Sequence, residues 1–148
     1  RLAAASPDAI RVVVAHHPLL YPEAPDQVRQ RRVRRADRAL QTFSTLGIRL
    51  VLSGHFHLSY VRVHEAPGEV KEGTPDGLRQ ATVAPILVAQ TSSTTSTRLR
   101  GHPNAYNLID IEDGKIDIAV REWVDGKWRT RERNIEPAHD PAATPAAA

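Results

Sequence analysis

Two short apolar runs, Ile10 to Ala15 and Ile48 to Leu52, flank a helical pattern, and this order constrains the fold more than any other feature of the chain. Both runs are too short for a helix and rich in branched side chains that suit a pleated surface, so each predicts a buried strand. Between them Val33, Ala36, Leu40 and Phe43 recur at three- and four-residue steps. That spacing predicts a helix from about Asp26, a candidate N-cap, to Leu46, closed by Gly47 as a left-handed C-cap. A strand, a helix and a second strand joined in this way normally form two parallel strands with the helix over one face. The expected class is therefore α/β.

Both strands run directly into histidines. His16-His17-Pro18 follows the first, and Ser53-Gly54-His55-Phe56-His57 follows the second. Ligands of open α/β sheets bind outside the carboxyl ends of the strands, so two such ends side by side predict a shared metal or phosphate site. Imidazole is the commonest neutral metal ligand, and the small Gly54 allows close approach of backbone and ion. His55 and His57 face the same way if the segment stays extended, whereas a tight turn after Gly54 aims each ring at a different point. The bland alternative is a set of solvated histidines at strand ends. The chain has no cysteine, which excludes thiolate metal sites, disulfides and thiol nucleophiles together.

Ala15-His16-His17-Pro18 and Ser53-Gly54-His55-Phe56-His57 resemble, in order and spacing, the last two signature blocks of the calcineurin-like metallophosphoesterases. That superfamily includes purple acid phosphatases and class III cyclic-nucleotide phosphodiesterases. The resemblance covers roughly Ile10 to Tyr60 and implies a four-layer α-β-β-α sandwich with mixed sheets, of which this chain is the carboxyl-terminal half. It also implies two divalent or trivalent metal ions (manganese, iron or zinc) and hydrolysis of a phosphomonoester or phosphodiester. By motif position, His16 and His55 are ligands of the second ion and His57 a ligand of the first. His17 has no fixed ligand role and is expected to lie just outside the ligand set. The family's amino-terminal Asp-x-His, Gly-Asp and Gly-Asn-His blocks do not occur in the chain, and Asn104 and Asn107 come too late to supply the asparagine. The expectation is an enzyme in its longer form, with this chain alone inactive, binding one ion at most through His16, His55 and water.

The remaining segments are read by local pattern. Tyr60 to His64 alternates as a half-exposed strand, Glu65 to Gly77 is a glycine- and proline-rich connection, Arg79 to Val83 is a possible short strand, and Ile86 to Ala89 is a third buried strand. The hydroxyl-rich tract Thr91 to Thr97 is expected to cap strand ends. Arg98 and Arg100 follow it in a Gly/Pro loop and are candidate phosphate-binding residues, while His64, His102 and His139 are expected at the surface. Asp113-Gly114 and Asp125-Gly126 are hairpin signals, which makes the last third an antiparallel meander. The predicted organisation is one domain over 1–135 and a disordered Pro/Ala tail over 136–148.

The net charge of +3 owes much to Arg29, Arg31, Arg32, Arg34 and Arg35, read as a solvated helix face. A basic nucleic-acid-binding module built on this cluster is one alternative function, although no aromatic residues are interleaved for base stacking. A non-catalytic scaffold or binding domain with the same fold is another. Arg1 to Ser6 lacks the apolar run of a signal peptide, and no stretch approaches the roughly 20 apolar residues of a membrane span. The expected location is cytoplasmic, with a phosphate-ester substrate and no membrane partner.

Overall fold

The structure, a computed structural model, describes residues 6, 8–24, 28–65, 85–97, 99 and 101–131. In chain order the elements are β1 (Arg11–Ala15), α1 (Ala36–Thr45), β2 (Ile48–Ser53), β3 (Tyr60–His64), β4 (Ile86–Gln90), β5 (Ala105–Glu112), β6 (Lys115–Val124) and β7 (Lys127–Thr130). The class is mixed α/β, and the described residues form one helix and two sheets, with more strand than helix. The first sheet has the order β1-β2-β4-β3, and the second is the meander β5-β6-β7. β1, β2 and β4 are parallel, and β3 runs antiparallel along β4.

Alternation along β2 and β4 sends side chains to two separate cores. Val51, Ile86 and Val88 pack with Ala36 and Leu40 of α1 and with Leu19, while Leu50, Leu52, Leu87 and Ala89 pack against Ile109, Ile116 and Ile118 of the meander. The described residues thus form three layers: helix, mixed sheet and antiparallel sheet. Leu40 is completely buried, and full burial of one leucine side chain stabilises by about 1.5–3 kcal/mol. In both hairpins of the meander the two central turn residues have positive φ, 49° and 73° at Asp113-Gly114 and 52° and 74° at Asp125-Gly126. Those angles are the signature of the type I′ turn that matches strand twist.

Three expectations need correction. The helix begins at Ala36 rather than near Asp26 (a residue outside the described ones), and Arg35 precedes it in a left-handed conformation with φ 58°. The arginines Arg29, Arg31, Arg32, Arg34 and Arg35 therefore do not form a helix face; they lie in the irregular approach to it. Tertiary contacts override the helical spacing there. The Val33 amide donates to the Pro18 carbonyl, and Arg32 holds Asp37 through two hydrogen bonds of 2.9 and 2.7 Å, donates to the Leu19 carbonyl and lies over the Tyr21 ring. This fastens the segment to the loop after β1.

Next, β1 is not fully buried. It is a terminal strand of its sheet among the described residues, and Val12 and Val14 are 41% and 78% exposed. Their register partners Leu50 and Leu52 are in the core beneath the meander, so the same face runs from covered to open between β2 and β1. His64, expected at the surface, is instead half-buried, with Nε2 out of contact with water and without a hydrogen-bond partner among the described residues. Burial lowers its pKa, partly offset by the charge of Asp37. The Arg79 to Val83 strand, most of the 65–77 connection and the 136–148 tail lie outside the described residues. No described helix is long and apolar enough to cross a membrane.

Candidate metal centre

The parallel register determines where the histidines meet. Ala15 pairs with Ser53 and Ser53 with Gln90, so β1, β2 and β4 end level with one another. The ladder continues past these ends, because the Gly54 amide donates to the His16 carbonyl at 3.2 Å and the Thr91 amide to the Ser53 carbonyl at 3.2 Å. His16 and His55, 39 residues apart in sequence, thereby bring Nε2 and Nδ1 to 3.2 Å. Ring nitrogens of His16, His17 and His55 all lie within 4.8 Å of one another, with the first two side chains exposed and the third half-buried.

The segment Gly54 to His57 is a tight turn rather than extended strand. The Phe56 amide donates to the Gly54 carbonyl at 3.0 Å. This closes a three-residue turn around His55, whose φ is 75°, the rarer and strained form of γ-turn. His57 also has positive φ, 60°. Strain of this kind persists only where the surroundings enforce it. Here Phe56, almost fully buried, stacks on Tyr21 with ring planes 4° apart and shares a small core with Leu58, Tyr60 and Val28. A Cβ on Gly54 would meet no atom within 4 Å, so packing does not demand glycine there and the space beside the histidines is open.

The turn separates the two histidines. His55 faces His16, whereas His57 directs Nδ1 toward Ser93 Oγ at 3.5 Å and is not in the three-histidine group. His17, expected outside the ligand set, is in the group. Arg98 and Arg100 lie outside the described residues, and His102 is half-buried. The hydroxyl tract does bind strand ends: Thr91 and Thr94 both donate to the Ala105 carbonyl, and the Ser92 amide donates to Ser59 Oγ. Asn104 accepts from the Ser96 amide and donates to the Ser96 carbonyl, which closes the loop between them.

Gln90, a supporting residue not singled out from the sequence, is wholly buried at the end of β4 and donates to the Leu58 carbonyl. The Tyr60 hydroxyl donates to the Leu20 carbonyl at 2.6 Å and lies 3.4 Å from Gln90 Oε1. These bonds tie the turn that carries His55 and His57 to the loop that follows His16 and His17. The available signal was a lone amide side chain closing the apolar run Ile86 to Ala89, where a buried polar group must find partners. Desolvation raises the Tyr60 pKa, opposed by the nearby charge of Arg62, so the phenol stays protonated and donating.

The donor set fits a metal ion of the zinc class. Tetrahedral zinc with Zn–N bonds of about 2.0–2.1 Å separates its ligand nitrogens by about 3.3–3.4 Å, close to the 3.2 Å between His16 and His55. The group contains no carboxylate, and neutral imidazoles favour zinc, copper, iron or nickel over magnesium or calcium. No protein-family model matches the chain, and comparisons with curated proteins and with solved structures give no match.

Proposed function

We propose that this chain supplies the carboxyl-terminal ligands of a metal-dependent phosphoesterase. The observation that carries the proposal is the meeting of His16 and His55 ring nitrogens at 3.2 Å, from two different strand ends, in the blocks that resemble the metallophosphoesterase signatures. His57, turned toward Ser93, is available to the first ion of a dinuclear centre while His16 and His55 serve the second. A metal centre there supplies an acidified water and charge stabilisation for phosphoryl transfer. The chain's contribution is positional: β1 and β2 hold the imidazoles level, the strained turn divides His55 from His57, and the Tyr60–Leu20 bond fixes the loop after His17.

The bridging carboxylate and the other ligands belong to the blocks absent from this sequence, together with the second helical layer of a four-layer sandwich. The terminal position of β1 and the exposure of Val12 and Val14 support this reading, because an apolar strand face of this kind normally packs on further structure. The nucleic-acid alternative loses one cation of its arginine cluster, since Arg32 is already engaged by Asp37, Leu19 and Tyr21.

The test joins this chain to a segment bearing the missing blocks and measures manganese- or zinc-dependent hydrolysis of an aryl phosphate and an aryl phosphodiester. His55→Ala and His57→Ala are each expected to abolish turnover by removing a ligand from a different ion. Turnover unaffected by both substitutions would refute the proposal.

A further inference from the structure

The third imidazole of the cluster belongs to His17, to which the resemblance gives no ligand role. Its ring centroid lies 4.3 Å from that of His55 and 4.8 Å from that of His16, both closer than the 5.1 Å between His16 and His55. The backbone beneath it is well anchored. Pro18 and Leu19 are buried, and the Pro18 carbonyl accepts from the Val33 amide. The His17 side chain itself is exposed, so its ring can turn without disturbing the core. Ligand nitrogens of a tetrahedral ion need about 3.3–3.4 Å between them. The group already lies within 4.8 Å, so an adjustment of roughly 1.5 Å brings the third nitrogen into place, which rotation of an exposed side chain provides.

From this geometry we infer that His17 is a direct metal ligand and that His16, His17 and His55 make a three-histidine site on this chain alone. The inference rests on the metal reading above and extends it in two respects. The site is complete enough to hold one zinc-class ion without any second segment, and it leaves a fourth position open to water or to a phosphoryl oxygen, the arrangement of a catalytic rather than a structural zinc site. Copper, iron and nickel are other ions that such imidazoles suit, whereas magnesium and calcium, which require oxygen ligands, are excluded.

The two roles open to His17 separate experimentally. Loss of an outer residue that merely orients a ligand lowers metal affinity by about 10- to 100-fold and leaves the number of coordinated rings unchanged. Loss of a ligand lowers that number by one. The 148-residue chain, labelled with nitrogen-15 in its histidine rings, is titrated with zinc and followed by long-range proton–nitrogen spectra, with calorimetry in parallel on the chain and its His17→Ala variant. The expected result is that one ring nitrogen each of His16, His17 and His55 shifts to the metal-bound position together, saturating at one zinc per chain, while His57 does not move through the first equivalent. His17→Ala should leave two shifted rings and weaken binding by more than about 100-fold, beyond what an outer residue contributes. Shifts at His16 and His55 with an unmoved His17 would overturn the inference and leave the metal reading standing. If none of the three rings shifts, both fail.

Discussion

Replacing Tyr60 by phenylalanine removes one oxygen atom and tests how the histidine-bearing loop is held. Tyr60 is 7% exposed, and its hydroxyl donates to the Leu20 carbonyl at 2.6 Å. The contact with Gln90 Oε1, at 3.4 Å, is the weaker of the two, because a phenol has one proton and the shorter bond takes it. Losing a neutral hydrogen bond costs about 0.5–1.5 kcal/mol, and a carbonyl left dry costs more. Leu20 is only half-buried, so the full cost of a dry carbonyl does not apply and the middle of the hydrogen-bond range does, about 1 kcal/mol. For a chain of 148 residues the melting temperature should fall by about 2–4 °C.

A second consequence appears at alkaline pH. Burial raises the folded-state pKa of Tyr60, whereas in the unfolded chain the phenol ionises near pH 10. Above that pH the unfolded state releases a proton that the folded state keeps, so Tyr60 lowers stability as pH rises, by at most about 1.4 kcal/mol per pH unit. Urea unfolding of the chain and of Tyr60→Phe at neutral pH and between about pH 10 and 11 measures both effects. The variant should be the less stable at neutral pH and should lose stability less steeply above pH 10. Equal neutral stability together with equal alkaline slopes would show that the phenol neither holds Leu20 nor lies in a dry site.

Two further substitutions have defined outcomes. His64→Leu removes a buried ring nitrogen that lacks a partner among the described residues; because the folded-state pKa of His64 is depressed, its contribution is present above about pH 6.5 and is lost as pH falls through the window beneath it. Thermal melts between about pH 5 and 7 should therefore show a shallower acid loss in the variant, and an unchanged profile would place His64 in water. Gly114→Ala puts a Cβ into open space but at φ 73°, so the whole cost is the left-handed penalty of about 1–2 kcal/mol, read as a reduced urea midpoint; no loss would mean that the turn is not type I′.

What was legible in the sequence was local. The Asp113-Gly114 and Asp125-Gly126 turns need only their own φ preferences, and both hairpins form where those dipeptides stand. The strands after Ile10, Ile48 and Ile86 announce themselves by branched apolar runs, and the histidines at two of their ends meet because parallel register brings Ala15 beside Ser53. The helix start was not legible, since it depends on the Val33–Pro18 and Arg32–Asp37 bonds between segments whose proximity no spacing reveals. Nor was the exposure of Val14, because a terminal strand and a central one are written in the same residues. Whether His55 and His57 diverge depends on two positive φ angles enforced by burial of Phe56 against Tyr21, a tertiary cause. His17 was legible as a residue and not as a member of the cluster, because adjacent histidines after a strand give no direction to their rings.

Anomalous diffraction locates the ion that the ends of β1 and β2 are proposed to hold. Crystals of the chain equilibrated with zinc and measured at the zinc absorption edge should give a peak about 2.0–2.1 Å from His16 Nε2 and from His55 Nδ1. A map without such a peak at saturating zinc, with the two nitrogens still hydrogen-bonded to each other near 3.2 Å, would contradict that proposal.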